Sequence, residues 1–248
     1  MAVEGPQVIA TAMAAGAQVE SLYLGYGHED ELAGLADAVL ETGGRCFTLD
    51  PGVLERVADT ATPQPAIALV ASPVLHELPA LGDGVVVVAE DLRDPGNAGT
   101  IIRSADALGA SAVILAGSSV DPTNPKVVRS TAGSLFHVAV ISCSVDEAFA
   151  ALEAAGYTSA ATLADGTAKL GEVELPCRLA IWVGNEARGL SAAVADRCEL
   201  RLAIPMVGQA ESLNAGVATS VVLFEALRQG VAPGERPPAP TMAGVHDS

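Results

Sequence analysis

Aromatic residues are nearly missing from this chain: one Trp, three Tyr and four Phe among 248 residues. Ala, Val and Leu must therefore fill the interior, and any surface that stacks nucleobases on side-chain rings is sparse. Bases are scarce too. Lys and Arg number 13 against 30 acids, a formal net charge of −17; taken alone, this argues against a nucleic-acid partner, because phosphate is bound through Lys and Arg. No apolar run reaches the roughly 18 residues of a membrane span, and no basic segment leads into an apolar one as in a secretory signal. The expectation is a cytoplasmic protein with no membrane partner. Cys46, Cys143, Cys177 and Cys198 form no C-x-x-C pair and have no histidine at metal-ligand spacing, so buried thiols and no metal are expected.

Several catalytic signatures are missing as well. There is no G-x-x-x-x-G-K-[ST] to cradle a phosphate, no G-x-G-x-x-G after a strand and no G-x-S-x-G elbow. His28, His76, His137 and His246 lie outside the polar loops described below, and His137, opening a strand, is expected to be structural.

What is present is an alternating pattern. Half the residues are hydrophobic, enough for one large or two modest domains. Residues 1–72 read as a small α/β unit: VEGPQVIATAMAAG helical, VESLYLGY a strand, DELAGLADAVLETGG helical and stopped by Gly43-Gly44, RCFTLD a strand, and an apolar strand ending near Ser72. Residues 73–84, with two prolines and two glycines, read as a linker. From 85 to 229, β-branched runs such as VVVVAE and SAVILAG alternate with helical patterns, which indicates a parallel sheet covered on both faces. The last helix is expected from Ser212 to about Gln229, and 230–248, Pro-rich and poor in apolar residues, as a mobile tail.

Three loops that follow strands are unusually polar or Gly-rich, and ligands of open parallel sheets bind beyond the carboxyl ends of strands. In EDLRDPGNAGT, DPGN is expected to form a tight turn with Gly96 at positive φ and Asn97 capping the next helix. Arg103, flanked by Ile101, Ile102 and Ala105, lies on a helix that reads as largely buried, where a guanidinium needs an anionic partner. In VGNEARGLS, Gly184 permits close backbone approach, Asn185, Glu186 and Arg188 are polar, and Ser191 is placed to cap a helix. In IPMVGQAESLN, Ser212 and Asn214 open the final helix. Each loop alone is compatible with a capped helix or a solvated turn. Together they gather Asn97, Arg103, Glu186, Ser212 and Asn214 around one crevice.

DPGNAGTIIRSADALGA, WVGNEARGLS and IPMVGQAESLNAGVATSVVLFEAL resemble, in order and spacing, the three motifs of the SpoU (TrmH-like) RNA 2′-O-ribose methyltransferases of the SPOUT class, and NPKVVRSTAGSLFHVAV is similar to the segment between the first two. The likeness spans residues 85–229, and residues 1–72 resemble the ribosomal-protein-like RNA-binding domain that precedes the catalytic one in many members. It implies an α/β catalytic domain with a C-terminal trefoil knot, S-adenosylmethionine as methyl donor, a homodimer, and ribosomal RNA preferred over transfer RNA as acceptor. It also implies that Leu163, Gly184, Ile204 and Leu213 contact the donor, that Arg103 takes or steers the proton of the ribose hydroxyl with Asn97 holding it in place, that Glu186, Ser212 and Asn214 shape the pocket, and that Arg129 contacts RNA phosphate.

Two departures stand out. Ala215-Gly216 occupy the place of a Val-Ser pair in many members, a change expected to loosen the first turn of the last helix. Residues 1–92 hold 14 acids against two bases, Arg45 and Arg56, which is unusual for an RNA-binding arm and leaves Arg93, Arg103, Lys126, Arg129 and Arg188 to supply the basic surface. Two rival functions remain open at this point: a catalytically silent RNA-binding or ribosome-assembly factor of the same fold, and a methyltransferase with a non-RNA acceptor.

Overall fold

A computed structural model describes residues 1–58 and 62–231. The chain divides into two compact units, one comprising Met1–Pro73 and the other beginning at Val74. The expected tail, from residue 232 onward, lies outside the described residues.

The first unit runs β1 (Ala2–Glu4), α1 (Pro6–Ala14), β2 (Val19–Leu24), α2 (Ala33–Glu41), β3 (Arg45–Thr48), α3 (Leu54–Val57) and β4 (Ala66–Val70). Its sheet has the order β1-β4-β2-β3, with β4 antiparallel to β1 and β2, and β2 parallel to β3. The short strand β1 falls in a stretch expected to be helical. Pro6 explains the split: it occupies the first turn of α1, where its missing N–H costs nothing, and leaves Ala2–Glu4 free to pair with Ile67–Leu69.

The second unit contains β5 (Gly84–Glu90), α4 (Pro95–Ala107), β6 (Ala112–Ala116), α5 (Pro125–Thr131), β7 (Ala139–Cys143), α6 (Val145–Ala154), β8 (Thr158–Thr162), β9 (Ala168–Lys169), β10 (Arg178–Val183), α7 (Ala192–Ala195), β11 (Leu200–Ala203) and α8 (Ala215–Arg228). Its strands run in the order β7-β6-β5-β10-β8-β11-β9, and every ladder is parallel. All of β5 and β6 is buried, as their unbroken apolar runs require of strands covered on both faces. Val86 and Val88 face a cluster with Ile114, Ile141, Trp182 and, from α6, Phe149 and Leu152. The alternate residues Val85, Val87 and Ala89 face the opposite layer. Trp182, fully buried, stacks on Phe149 with ring centres 3.9 Å apart and donates its indole N–H to Ser159 Oγ at 3.1 Å. Four of the eight aromatics, Trp182, Phe136, Phe149 and Tyr157, are buried, while Tyr26, Phe47 and Phe224 are exposed.

Two expectations change here. Most of residues 73–84 is not a free linker: Leu75 donates to Val140 O at 2.8 Å and accepts from Ser142 N at 2.9 Å, and Leu75, Leu78 and Leu81 pack on the core cluster. Tyr157 Oη also donates to Gly82 O at 2.9 Å. Leucines at intervals of three cover an apolar edge that the proline and glycine content concealed. The cysteines are not buried: Cys177 is exposed and the other three are half-buried. Burial nonetheless pushes the Cys46 and Cys143 thiols up, and that of Cys198 to about 12, so these three thiols stay protonated at neutral pH.

Among the described residues, no helix is long and apolar enough to cross a membrane, and no group of three or more His, Cys, Asp or Glu side chains is placed to hold a metal ion.

Candidate active site

Strands β5, β10, β8 and β11 are neighbours in a parallel sheet, so the loops leaving their carboxyl ends emerge along one edge. These are the segments after Glu90, after Val183, around Leu163, and from Ile204 to Asn214.

In the first loop, Asp94 rather than Asn97 caps α4: its Oδ1 accepts from Asn97 N at 2.8 Å, and Pro95 follows in the first turn. DPGN is thus a cap and a helix start, not a separate turn, and Gly96 has no positive φ. Freed from capping, the nearly buried Asn97 side chain reaches outward from the helix. It donates from Nδ2 to Glu186 Oε1 at 2.9 Å and accepts at Oδ1 from Asn214 Nδ2 at 2.7 Å. Asn214 is itself the cap of α8, its Oδ1 accepting from Gly216 N and Val217 N. The helix therefore begins at Ala215, three residues later than expected, because the capping carboxamide terminates the polar run ESLN. Glu186 Oε1 also accepts from Asp94 N at 3.2 Å. Partial burial opposes ionisation of Glu186, but the Asn97 amide and nearby backbone N–H groups outweigh it and hold the carboxyl below the usual carboxylate range.

In the second loop, Asn185 and Gly189 exchange backbone hydrogen bonds of 3.1 and 2.8 Å, and Asn185 Nδ2 anchors the turn to Asp91 O at 2.9 Å. A Cβ on Gly184 would lie 2.0 Å from Gly189 C and Leu190 N. Glycine is needed here for the loop to fold back on itself, before any ligand is considered. Ser191 caps α7 as expected, and its N and Oγ donate to the buried carboxylate of Glu90 at 2.8 and 2.6 Å.

These loops border a half-open cavity of about 300 Å³ whose lining includes Leu163, Gly184, Glu186, Ile204, Ser212 and Leu213. All four residues expected to contact a cofactor are therefore together. Beside it is an open bowl of about 620 Å³ lined by Arg93, Asp94, Pro95, Asn97, Glu186 and Asn214. Glu186 lines both. Thr162 and Met206 also line the cavity and were not anticipated; Thr162 ends β8, and Met206 lies in the IPMVGQAESLN loop after β11.

Arg103 and Arg129 stand apart. Each is exposed, lines neither cavity, and has no side-chain hydrogen bond or ion pair among the described residues. The anionic partner expected for Arg103 is not required, because its side of α4 faces water and the guanidinium is solvated. His137 pairs with Asp106 at 3.1 Å, outside the cavities.

The sequence profile of the SpoU rRNA Methylase family matches residues 84–224. The chain belongs to this family. A relative in Bacillus subtilis (strain 168), the 23S rRNA (guanosine(2553)-2′-O)-methyltransferase RlmP, is 33% identical over 185 residues, covering 75% of this chain and 73% of the relative. The crystal structure of the SpoU methyltransferase AviRb from Streptomyces viridochromogenes in complex with AdoMet superposes with a TM-score of 0.82 at 33% identity, covering 94% of this chain and 91% of that one. An AdoMet-bound rRNA methyltransferase from Sinorhizobium meliloti gives the same TM-score of 0.82 at 28% identity, covering 92% of this chain and 86% of that one.

The SpoU cavity in this chain fits such a cofactor on its own chemistry. Its volume is at the lower end for small-molecule sites, Leu163, Ile204 and Leu213 give it apolar walls, and Thr162, whose buried hydroxyl has no partner among the described residues, contributes to its lining. The Ala215-Gly216 departure also gains a reason. A Cβ on the buried Gly216 would lie 2.8 Å from Thr100 Cγ2, so glycine lets α8 close on α4, where Ser104 and Ser220 hydroxyls meet at 2.7 Å. The first turn is held by packing rather than loosened.

Proposed function

We propose that this chain transfers the methyl group of S-adenosylmethionine to a ribose 2′-hydroxyl in RNA, with ribosomal RNA preferred over transfer RNA. The observation that carries this reading is the chain of hydrogen bonds from Asn214 through Asn97 to Glu186, which links a half-open cavity of cofactor size to a wider bowl. Family membership and the named activity of the B. subtilis relative support it.

When bound, the donor supplies an electrophilic methyl carbon with a good sulfonium leaving group, so the protein's task is alignment and removal of one proton. Leu163, Ile204 and Leu213 contact the adenosyl portion, and the loop that Gly184 allows to fold back closes over it. Asn97 and Asn214, with amide orientations fixed by their partners, hold the ribose at the bowl side, while Glu186 and Ser212 shape the shared wall. Arg103 steers the proton. Its cationic charge favours the alkoxide as it forms, and since a guanidinium is already protonated and has no acceptor site, a substrate phosphate or water takes the proton that it steers.

The proposal includes a homodimer and a basic surface. Val217, Val221 and Phe224 lie along one exposed face of α8, with Leu227 at its flank, an apolar stripe suited to a second copy. Pairing there doubles the exposed cations Arg93, Arg103, Lys126 and Arg129, with Arg129 on RNA phosphate. The family likeness adds a C-terminal trefoil knot, an RNA-binding role for the N-terminal unit and a cytoplasmic location.

The test is incubation of purified protein with labelled donor and rRNA, followed by mapping of alkali-resistant ribose positions. Transfer to a 2′-hydroxyl is expected. Donor binding with no transfer to rRNA or tRNA would replace this reading with that of a silent RNA-binding or assembly factor.

A further inference from the structure

We propose that Arg188 binds the carboxylate of the donor's amino-acid tail and thereby decides which end of the donor faces the loop between β10 and α7. This rests on the proposal that the cavity bordered by these loops is the donor site, and it deepens it.

Two charged side chains line that cavity, Glu186 and Arg188. Glu186 is committed: it accepts from Asn97 Nδ2 and Asp94 N. Arg188 is not. It makes no side-chain hydrogen bond among the described residues, and the anion with which it pairs, Asp91 Oδ2, is 3.9 Å away, beyond hydrogen-bond range. The Arg188 side chain is well exposed, at 71%, and that of Asp91 is half-buried, at 35%, so this long contact contributes little. Arg188 also lines the adjoining cavity of about 140 Å³ beside Glu90 and Asp91. Glu90 does not compete for it, because both of its oxygens already accept from Ser191.

A guanidinium with free donors at the wall of a ligand cavity matches a carboxylate, which it grips through two parallel hydrogen bonds. S-adenosylmethionine has one carboxylate, at the end opposite its adenine. The remaining walls divide accordingly: Leu163, Ile204, Met206 and Leu213 are apolar and suit the adenosyl end. An RNA phosphate is the other anion an exposed arginine could take. The smaller, half-open cavity favours the small donor over a polynucleotide, and Arg93, lining the wider and more open bowl, is better placed for RNA.

The experiment uses two product-like ligands that differ in the carboxylate alone, S-adenosylhomocysteine and its decarboxylated form S-adenosyl-3-thiopropylamine, titrated calorimetrically into the full-length protein. Arg188→Ala should lower affinity for S-adenosylhomocysteine about tenfold or more and leave the decarboxylated ligand unchanged, with no change in unfolding temperature. Arg188→Lys, which keeps charge but not the fork, should recover part of the loss. Equal weakening of both ligands, or of neither, overturns the proposal. So does unchanged ligand affinity accompanied by a fall of about one in the salt slope of RNA binding, which would assign Arg188 to phosphate. The underlying cavity assignment fails on a separate result: Leu213→Asp leaving S-adenosylhomocysteine affinity intact.

Discussion

Asn97 donates to Glu186 Oε1 at 2.9 Å, and the orientation of its amide is not free. Asn214 uses its carbonyl oxygen on two backbone N–H groups of α8 and can present only its NH₂ to Asn97, while the ionised Glu186 can only accept. Asn97→Asp removes the donor and places two carboxylates together. Methyl transfer should fall at least about tenfold, and the acid limb of the pH–rate profile should move up, because Glu186 loses the bond that lowers its pKa and gains a like-charged neighbour. An unchanged profile would show that Glu186 is not tuned by Asn97.

Arg103 lines neither cavity, so its role in transfer separates from donor binding. Arg103→Ala should abolish transfer while leaving donor affinity within about twofold of wild type, since it removes none of the walls that bind the donor. Calorimetry and single-turnover transfer on the same preparation check this.

Gly184→Ala puts a Cβ 2.0 Å from the backbone of Gly189 and Leu190, which cannot yield as a side chain would. Overpacking costs typically about 1–3 kcal/mol, which for a chain of this size lowers the unfolding temperature by a few degrees, and donor binding should be lost with loop closure. Gly208→Ala is the control: nothing lies within 4 Å of its Cβ position, and neither quantity should move.

The carboxylate of Glu225 accepts from Arg228 Nε at 2.7 Å and from Gln229 Nε2 at 2.7 Å, which hold its pKa down to about 2. Gln229 in turn ties the end of α8 to Val173 O and Leu175 N. A folded pKa below the unfolded value of about 4.3 means that the contribution is complete above that pH and is lost as pH falls toward 2. The denaturation midpoint should therefore drop across this window, and Glu225→Gln should flatten part of the drop.

Phe224, 60% exposed in the middle of the apolar face of α8, is the natural probe of self-association. Phe224→Asp should shift the protein from dimer to monomer in sedimentation velocity, with secondary structure unchanged. A wild-type monomer at micromolar concentration would remove the dimer from the proposal.

Much of this was legible in the chain itself. Buried parallel strands announce themselves as unbroken runs such as VVVVA, and the three polar loops between them mark one edge of a sheet and match one family. Ser191 was recognisable as a cap because Ser directly before an apolar turn is a preferred N-cap residue. Asp94 and Asn97 were not separable in this way. Both residue types cap helices, they are three apart, and which one caps depends on whether the other has a partner elsewhere, here Glu186, 89 positions away.

The sequence alone determined the kinds of element, the alternation that makes a parallel sheet, and the set of polar side chains available at its edge, because these depend on local periodicity and on residue chemistry. The tertiary structure decided the rest. It inserted β10 between β5 and β8, which brings the loops of Asn97 and Glu186 side by side. It placed Leu75 against β7, within what looked like a linker, and left Arg103 in water on a helix that read as buried. Each of these depends on which distant segments pair, and local pattern does not encode that choice because an apolar strand or helix face can pack against many partners of similar shape.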